Sequence, residues 1–171
     1  MNGRGVAMST VSHSRLIDAS ADRLWQIMTD LPARAGWLCT VDRIEVLTPG
    51  RFAPGTSWRE SRTLPDGATL TEELLVREAD PPHRFVLASS GVGVDYRTTY
   101  QFRPVTGRCG VAGTDVTVVQ EATYTVRYGR VLAAVFGGLA ARAVENALRR
   151  DLDDLAAAAE PPAATGPAEA A

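Results

Sequence analysis

The stretch that decides the fold is residues 94–103, VDYRTTYQFR, in which apolar or aromatic side chains alternate with charged or polar ones. One set is Val94, Tyr96, Thr98, Tyr100 and Phe102, and the other is Asp95, Arg97, Thr99, Gln101 and Arg103. Because successive side chains of a β-strand point to opposite faces, this alternation predicts a strand with one face against a core and the other in solvent.

Other segments with the same two-residue period predict a sheet built around this strand. They span residues 10–17, 41–47, 56–64, 68–78, 85–89 and 114–126. Turn sequences separate most of them, among them Pro65-Asp66-Gly67, in which proline fixes φ and glycine tolerates a positive φ. The pattern therefore predicts six or seven antiparallel strands joined by short turns.

Three segments have helical spacing instead. Residues 21–30 follow Ser20, a suitable N-cap, and residues 33–38 predict a second short helix or turn. Residues 131–155 contain no proline and repeat apolar positions near helical spacing, so they predict a helix roughly 38 Å long at 1.5 Å per residue.

Together these elements predict an α+β fold in which a curved antiparallel sheet of six to seven strands wraps a long C-terminal helix, with two short helices after the first strand. A single helix about 10 Å wide cannot fill the concave face of a twisted sheet of this size. The sequence therefore predicts an internal cavity.

Composition limits the other possibilities. The chain has 171 residues, and we expect one domain at 9–158, a disordered N-terminus at 1–8 and a disordered Ala/Pro-rich tail at 159–171. A net charge of −2 argues against nucleic acid as a partner. No apolar run is long enough for a membrane span and no signal-peptide pattern occurs, so we expect a cytoplasmic protein. The cysteines and histidines lack metal-ligand spacing, so we expect no metal and no cofactor.

Several phrases of the sequence together resemble the START-like (helix-grip, SRPBCC) superfamily and its polyketide cyclase/dehydrase group. They are IDASADRLW at 17–25, PDG at 65–67, EADPPHRF at 78–85, FRP at 102–104 and GTDV at 113–116. The similarity extends over about residues 10–158. It implies a helix-grip fold with a cavity, whereas ligand and chemistry vary among members of such a superfamily.

The residues expected at the cavity are those on inward strand faces, on the loop after the first helix and on the long helix. We predict a ligand site formed by Trp37, Trp58, Glu60, Tyr96, Thr98, Tyr100, Gln120, Tyr124, Phe136 and Leu139. The tyrosines combine an apolar ring with a hydroxyl, which suits an aromatic or polyketide-like ligand, although ordinary core packing would also explain them.

Arg62 and Glu72 are the candidate catalytic residues, because an inward Arg–Glu pair could polarise a ligand carbonyl or move a proton. A structural ion pair is the alternative interpretation of Glu60, Arg62 and Glu72.

Three functions stay open at this point. The first is a carrier or sensor that binds a hydrophobic small molecule such as a lipid, a quinone or a polyketide-like compound. The second is a polyketide aromatase/cyclase or dehydratase acting on a poly-β-ketone, and the third is a protein-interaction module. The sequence leaves open whether the protein is a monomer or a homodimer.

Overall fold

The computed structural model of the chain describes residues 7–63, 67–91, 93–106, 112–124 and 127–160; for residues 7, 112 and 127–141 it describes the backbone alone. The first part of the chain contains β1 (Ala7–Ile17), α1 (Ala21–Thr29), α2 (Arg34–Trp37), β2 (Arg43–Val46) and β3 (Ser57–Thr63). The second part contains β4 (Thr69–Asp80), β5 (Arg84–Gly91), β6 (Val94–Thr106), β7 (Ala112–Tyr124) and α3 (Arg127–Ala159).

The seven strands form one antiparallel sheet in the order β1-β7-β6-β5-β4-β3-β2. Strands β2 to β7 are neighbours in the order of the chain, which the short predicted turns require. Strand β1 instead pairs with β7 at the far edge, from Ala7 opposite Tyr124 to Ile17 opposite Thr114. The predicted helix-grip fold class, with its curved sheet, long C-terminal helix and two short helices after β1, is confirmed.

Helix α1 begins where the sequence indicates. The Ser20 hydroxyl accepts a hydrogen bond from the backbone N–H of Arg23 at 3.2 Å, which satisfies one of the free amides of the first turn. The helix then buries Leu24 and Met28, four residues apart on one face. Its apolar face therefore covers one end of the sheet.

The core lies between the concave face of the sheet and the last turns of α3. Leu148, Leu152 and Leu155 of α3 share one helical face and are almost fully buried. They belong to the same buried cluster as Val116 and Val118 of β7. Burial of this leucine face fixes the C-terminal half of α3 against the sheet.

Aromatic rings fill a second part of the core. Phe85 stacks on Tyr100 with ring centroids 4.8 Å apart, and Trp25 of α1 meets Phe85 edge to face at 5.6 Å. Phe52 and Phe102 also contact Phe85. Edge-to-face and offset contacts of this kind add to the free energy gained from burial alone.

The element ends differ from the predicted ends by a few residues. β1 begins at Ala7, three residues before the predicted strand, because pairing with β7 continues to Tyr124. α3 extends to Ala159. The predicted domain limits, disordered ends at 1–8 and 159–171 included, stay predictions, and residues 1–6, 64–66 and 161–171 lie outside the described residues. None of the described helices is long and apolar enough to cross a membrane.

Candidate functional site

Two adjoining cavities lie between the sheet and α3. The outer one has a volume of about 400 Å³, and the inner one, about 60 Å³, continues towards the core. Both are bounded by Arg62, Glu72, Gln120, Leu148 and Asp151. These shared walls make the two cavities one continuous candidate site.

The outer cavity has an apolar wall and a polar end. Leu70, Val94, Val144 and Leu148 provide aliphatic surface, and the ring of Tyr96 adds aromatic surface. The charged side chains are confined to the end that the inner cavity shares. The site therefore combines a mainly apolar chamber with one charged end.

Glu60 of β3 is the centre of the charged end, and its side chain is 1% exposed. Oε1 lies 2.5 Å from Nε of Arg34 and accepts a hydrogen bond from the indole N–H of Trp58 at 2.9 Å. Oε2 lies 3.0 Å from Nη2 of Arg62. Both carboxylate oxygens thus have charged or strong donors, which a buried carboxylate requires.

Asp151 of α3 completes this end from the other side of the cavity. Its Oδ1 accepts a hydrogen bond from the Thr40 hydroxyl at 3.1 Å, and its Oδ2 lies 3.6 Å from Nη2 of Arg62. Thr40 also accepts a hydrogen bond from Nη1 of Arg62 at 2.6 Å. The loop after α2, strand β3 and helix α3 are therefore connected through Arg62.

The two carboxyl groups have pKa values displaced in opposite directions. Burial alone would raise the pKa of Glu60, but Arg34, the Trp58 hydrogen bond and Arg62 hold it below its ordinary value. Burial raises the pKa of Asp151 above its ordinary value, and the two arginines and Thr40 offset that rise in part. Glu60 is therefore ionised, whereas Asp151 binds a proton more readily than an ordinary aspartate.

Both arginines keep their charge. Burial by itself lowers the pKa of Arg34, but Glu60 more than offsets this and the pKa lies above its ordinary value. Arg62 behaves in the same way, with Asp151 and Glu60 as the compensating charges. Burial, together with the Asp151 charge, raises the pKa of Tyr100 to about 12, so this phenol stays neutral.

Neutral hydroxyl and amide groups line the rest of the inner cavity. The Ser89 hydroxyl donates a short hydrogen bond to Glu72, and the Gln120 amide donates to the Thr98 hydroxyl at 3.3 Å. The Tyr100 side chain also borders the inner cavity, and no hydrogen-bond partner of its hydroxyl is found within the described part of the chain. A ligand oxygen at this depth would meet several donors.

The structure places most of the predicted strand residues at the cavity. Tyr96 borders the outer chamber, Glu60, Thr98 and Tyr100 border the inner one, and Gln120, Arg62 and Glu72 border both. Arg62 and Glu72 do not form the predicted ion pair with each other: Arg62 pairs with Glu60 and Asp151, because these carboxylates lie nearer its guanidinium group.

Two predicted ligand residues, Trp37 and Trp58, lie elsewhere. Trp58 is 1% exposed in the core, and Trp37 lies in a groove against α1 and the end of α3, under the Arg34 guanidinium at 5.6 Å. Burial raises the pKa of Tyr96, and Tyr124 lies close enough to that phenol to contribute to the rise; the Tyr124 hydroxyl itself lies 3.4 Å from Oγ of Ser9. The role of Tyr124 as a ligand residue stays a prediction. Phe136 and Leu139 are in α3, and their side chains are outside the described residues.

Sequence reasoning did not identify Arg34 and Asp151. A signal for each was present: Leu31, Arg34 and Leu38 have helical spacing, and so do Leu148, Asp151 and Leu155. A charged residue within an apolar helical stripe indicates a buried ionic group with a partner. Among the described residues, no group of three or more His, Cys, Asp and Glu side chains could hold a metal ion.

Fold and cavity together define a class: a helix-grip domain with a half-open cavity between its sheet and its C-terminal helix. The sequence profile of a family described as polyketide cyclase/dehydrase and lipid transport matches residues 8–160. The chain belongs to this family. No curated protein matches the sequence.

Solved structures share the fold. The protein TTHA0849 from Thermus thermophilus has a TM-score of 0.64 and 22% identity, over 89% of this chain and 100% of that one. Norcoclaurine synthase from Thalictrum flavum has a TM-score of 0.63 and 16% identity, over 91% and 96% of the two chains. The di-domain ARO/CYC protein BexL of the BE-7585A biosynthetic pathway has a TM-score of 0.69 and 20% identity, over 91% of this chain and 51% of that one.

Proposed function

We propose that the protein binds a largely apolar small molecule, such as a lipid, a quinone or a polyketide-like compound, as its carrier or sensor. The observation that supports this best is a chamber of about 400 Å³ with aliphatic and aromatic walls and a charged end. Small-molecule sites are typically about 300–1,000 Å³, mainly apolar, with a few polar groups that orient the ligand.

The proposed orientation follows from the distribution of charge. The apolar body of the ligand lies along Leu70, Val94 and Val144, and an oxygen-bearing group reaches Arg62 at the charged end. The reverse orientation would leave the partly buried Arg62 guanidinium against hydrocarbon, which costs free energy. Family membership supports this proposal, because the family description includes lipid transport. The proposal retains the cytoplasmic location and the monomer or homodimer expected from the sequence.

A binding screen with a blocked variant tests this proposal. Native mass spectrometry and thermal-shift measurements against lipids, quinones and aromatic polyketides should identify a binder. A ligand at a hundred times its Kd stabilises a protein by about 2.7 kcal/mol, which raises the Tm of a domain of this size by several degrees.

Val144→Trp places a large ring in the outer chamber and should abolish the shift. Glu145→Trp, an exposed position on the same helix, is the matched control and should leave it unchanged. The absence of any binder among these compounds, or an unchanged shift in Val144→Trp, would refute the proposal.

A second candidate function is supported by two charged residues that border both cavities. Arg62 and Glu72 lie in the walls of the outer and the inner cavity, where a ligand would meet a fixed cation and a carboxylate that could accept a proton. In an aromatase/cyclase, a base removes a proton from a methylene between two ketones. The enolate then forms a carbon–carbon bond with a distant carbonyl, and the resulting alkoxide takes up a proton.

In this candidate, Arg62 would stabilise the enolate oxygen, and Glu72 would accept the methylene proton and return it to the alkoxide. Holding the chain in a folded conformation could itself lower the barrier by several kcal/mol. The proposal is tested by the product profile from a poly-β-ketone. Arg62→Ala, Glu72→Ala and Tyr100→Phe should each change it, and an unchanged profile in all three would exclude this mechanism.

A further inference from the structure

Among the described residues, the charged end of the cavity contains one carboxyl group more than it has guanidinium groups. Arg34 and Arg62 face Glu60, Glu72 and Asp151, and all five border the inner cavity. Glu60 and Glu72 are opposite each other in the β3–β4 register, where like charges repel. With every group ionised this end would have a net charge of −1.

An uncompensated charge in a largely buried site is costly, so the site has to take up one positive charge. Two sources are available: a proton on one carboxyl group, or the ammonium group of a ligand. A ligand carboxylate would add a second negative charge.

The contacts exclude Glu60 as the group that takes up the proton, because it has three partners at 3.0 Å or less. Glu72 and Asp151 each accept a hydrogen bond from one neutral hydroxyl, of Ser89 and of Thr40, and Arg62 lies 3.6 Å from Asp151, too far for a hydrogen bond. The Asp151 side chain is only 13% exposed, and because burial favours the neutral form of a carboxyl group, the proton is assigned to Asp151. The raised pKa of Asp151 agrees with this assignment.

We propose that Asp151 faces the cavity as a carboxylic acid and donates a hydrogen bond to an uncharged carbonyl oxygen of the ligand, beside Arg62 as the second donor. This inference rests on the proposed binding function and specifies its ligand: an apolar molecule with a ketone or quinone carbonyl at its buried end. Asp151 lies on α3 and borders both cavities, so it can reach an oxygen that enters from the outer chamber.

The ionisable groups around Asp151 come from several elements. Arg62 and Glu60 face it from β3, Arg34 from α2 and Tyr100 from β6. Glu72 of β4 borders the same cavities. A hydrogen bond to Asp154 raises the pKa of the Cys39 thiol, on the loop after α2, and Asp151 lies close enough to this thiol for the Asp151 charge to contribute to the rise. On α3 itself the nearest charged neighbours in sequence are Arg149, Arg150, Asp153 and Asp154.

Most of these groups do not change charge near neutral pH. The arginines stay cationic, Glu60 stays ionised and Tyr100 stays neutral. Asp153 and Asp154 contact Arg15 and the backbone N–H of Cys39 and do not belong to the described walls of either cavity. Asp151 and Glu72 are therefore the carboxyl groups that mutation has to distinguish.

The test uses three probes with the same alkyl chain: 2-decanone, decylamine and decanoate. Isothermal titration calorimetry of the full chain between pH 5 and pH 9 should show that 2-decanone binds more tightly than decanoate. The affinity for 2-decanone should fall about tenfold or more as Asp151 ionises, because the carboxylate and the ketone oxygen both accept hydrogen bonds and neither can donate one. Decylamine that binds more tightly than 2-decanone and gains affinity with pH would show an ionised Asp151 and overturn the inference.

Two variants separate the groups. In Asp151→Asn the amide donates at every pH, so the affinity for 2-decanone should vary less than twofold over the range. Glu72→Gln removes the excess negative charge but leaves Asp151 able to ionise, so it should keep the fall in affinity and move it to lower pH. A flat profile in the wild-type protein, or the wild-type fall retained in Asp151→Asn, would overturn the inference.

A measurement on the wild-type protein alone does not depend on the folding of any variant. Above the pKa of Asp151, binding of 2-decanone should be accompanied by the uptake of about one proton by Asp151. This uptake is measured as a dependence of the calorimetric heat on the ionisation enthalpy of the buffer. Binding without proton uptake would overturn this inference and leave the binding function intact. No binding by any probe or library compound would instead refute the binding function.

Discussion

Replacing Arg34 by methionine tests whether the buried ion pairs hold β3 and α2 together. Methionine keeps much of the aliphatic bulk and removes the guanidinium that lies 2.5 Å from Glu60. Breaking a buried pair by removing one partner costs about 3–5 kcal/mol, because a charge stays buried without compensation. Glu60 keeps Arg62 at 3.0 Å and Trp58 at 2.9 Å, so we expect the lower figure, about 3 kcal/mol.

The free energy of unfolding is measured by urea denaturation followed by circular dichroism. A loss of about 3 kcal/mol corresponds to a fall in Tm of about 6–12 °C at this chain length. The double variant Arg34→Met/Glu60→Gln should lose less than Arg34→Met alone, because no buried charge lacks its partner. Arg59→Met is the matched control, since its pairs with Glu45 and Glu73 are about half exposed, and it should change stability by less than about 0.5 kcal/mol.

Two outcomes would refute this reasoning. One is a loss of less than about 1 kcal/mol in Arg34→Met, which would mean that the ion pair contributes no more than a surface pair. The other is a double variant whose loss equals the sum of the two single losses, which would mean that Arg34 and Glu60 are not energetically coupled.

Three further predictions concern stability. Ser20→Ala should cost about 1 kcal/mol in urea denaturation, since it removes the N-cap of α1; no loss would contradict that role. Leu152→Ala should cost about 2–5 kcal/mol by calorimetry, because the side chain is 1% exposed, and a smaller loss would show that the site collapses around the cavity. The pKa of Glu60 is lower in the folded protein, so its contribution is present above its unfolded pKa and is lost as pH falls through the folded pKa. The stability difference between wild type and Glu60→Gln should therefore shrink on acidification, and a growing difference would contradict the assigned direction.

The sequence was informative where alternation sets the geometry. A two-residue period fixes which side chains share a face, so it predicted that Tyr96, Tyr100 and Phe102 point inward from β6. It also placed Glu60 and Arg62 on the inward face of β3, although burying two charges looked unfavourable. The structure resolves that conflict, because the two residues pair with each other and with partners from other elements.

The alternation of side chains shows which residues share a face of the strand, but it does not show which of them lie in the core and which line the cavity. Trp58 and Glu60 share a face of β3, yet Trp58 lies in the core and Glu60 borders the cavity. Which of them meets the cavity depends on where α1 and α3 cover the sheet, and that is a property of tertiary packing. Arg34 and Asp151 were missed for the same reason: their partners are 26 or more residues away in sequence, on β3 and on the loop at Thr40.

The positions of the tryptophans determine how binding can be observed. Trp25, Trp37 and Trp58 do not belong to the described walls of either cavity, whereas Tyr96 and Tyr100 do. Indole emission from this protein should therefore respond to changes in core packing and not to direct contact with a ligand. A ligand that changes indole emission without absorbing in that spectral range would be reporting a rearrangement of the domain around it.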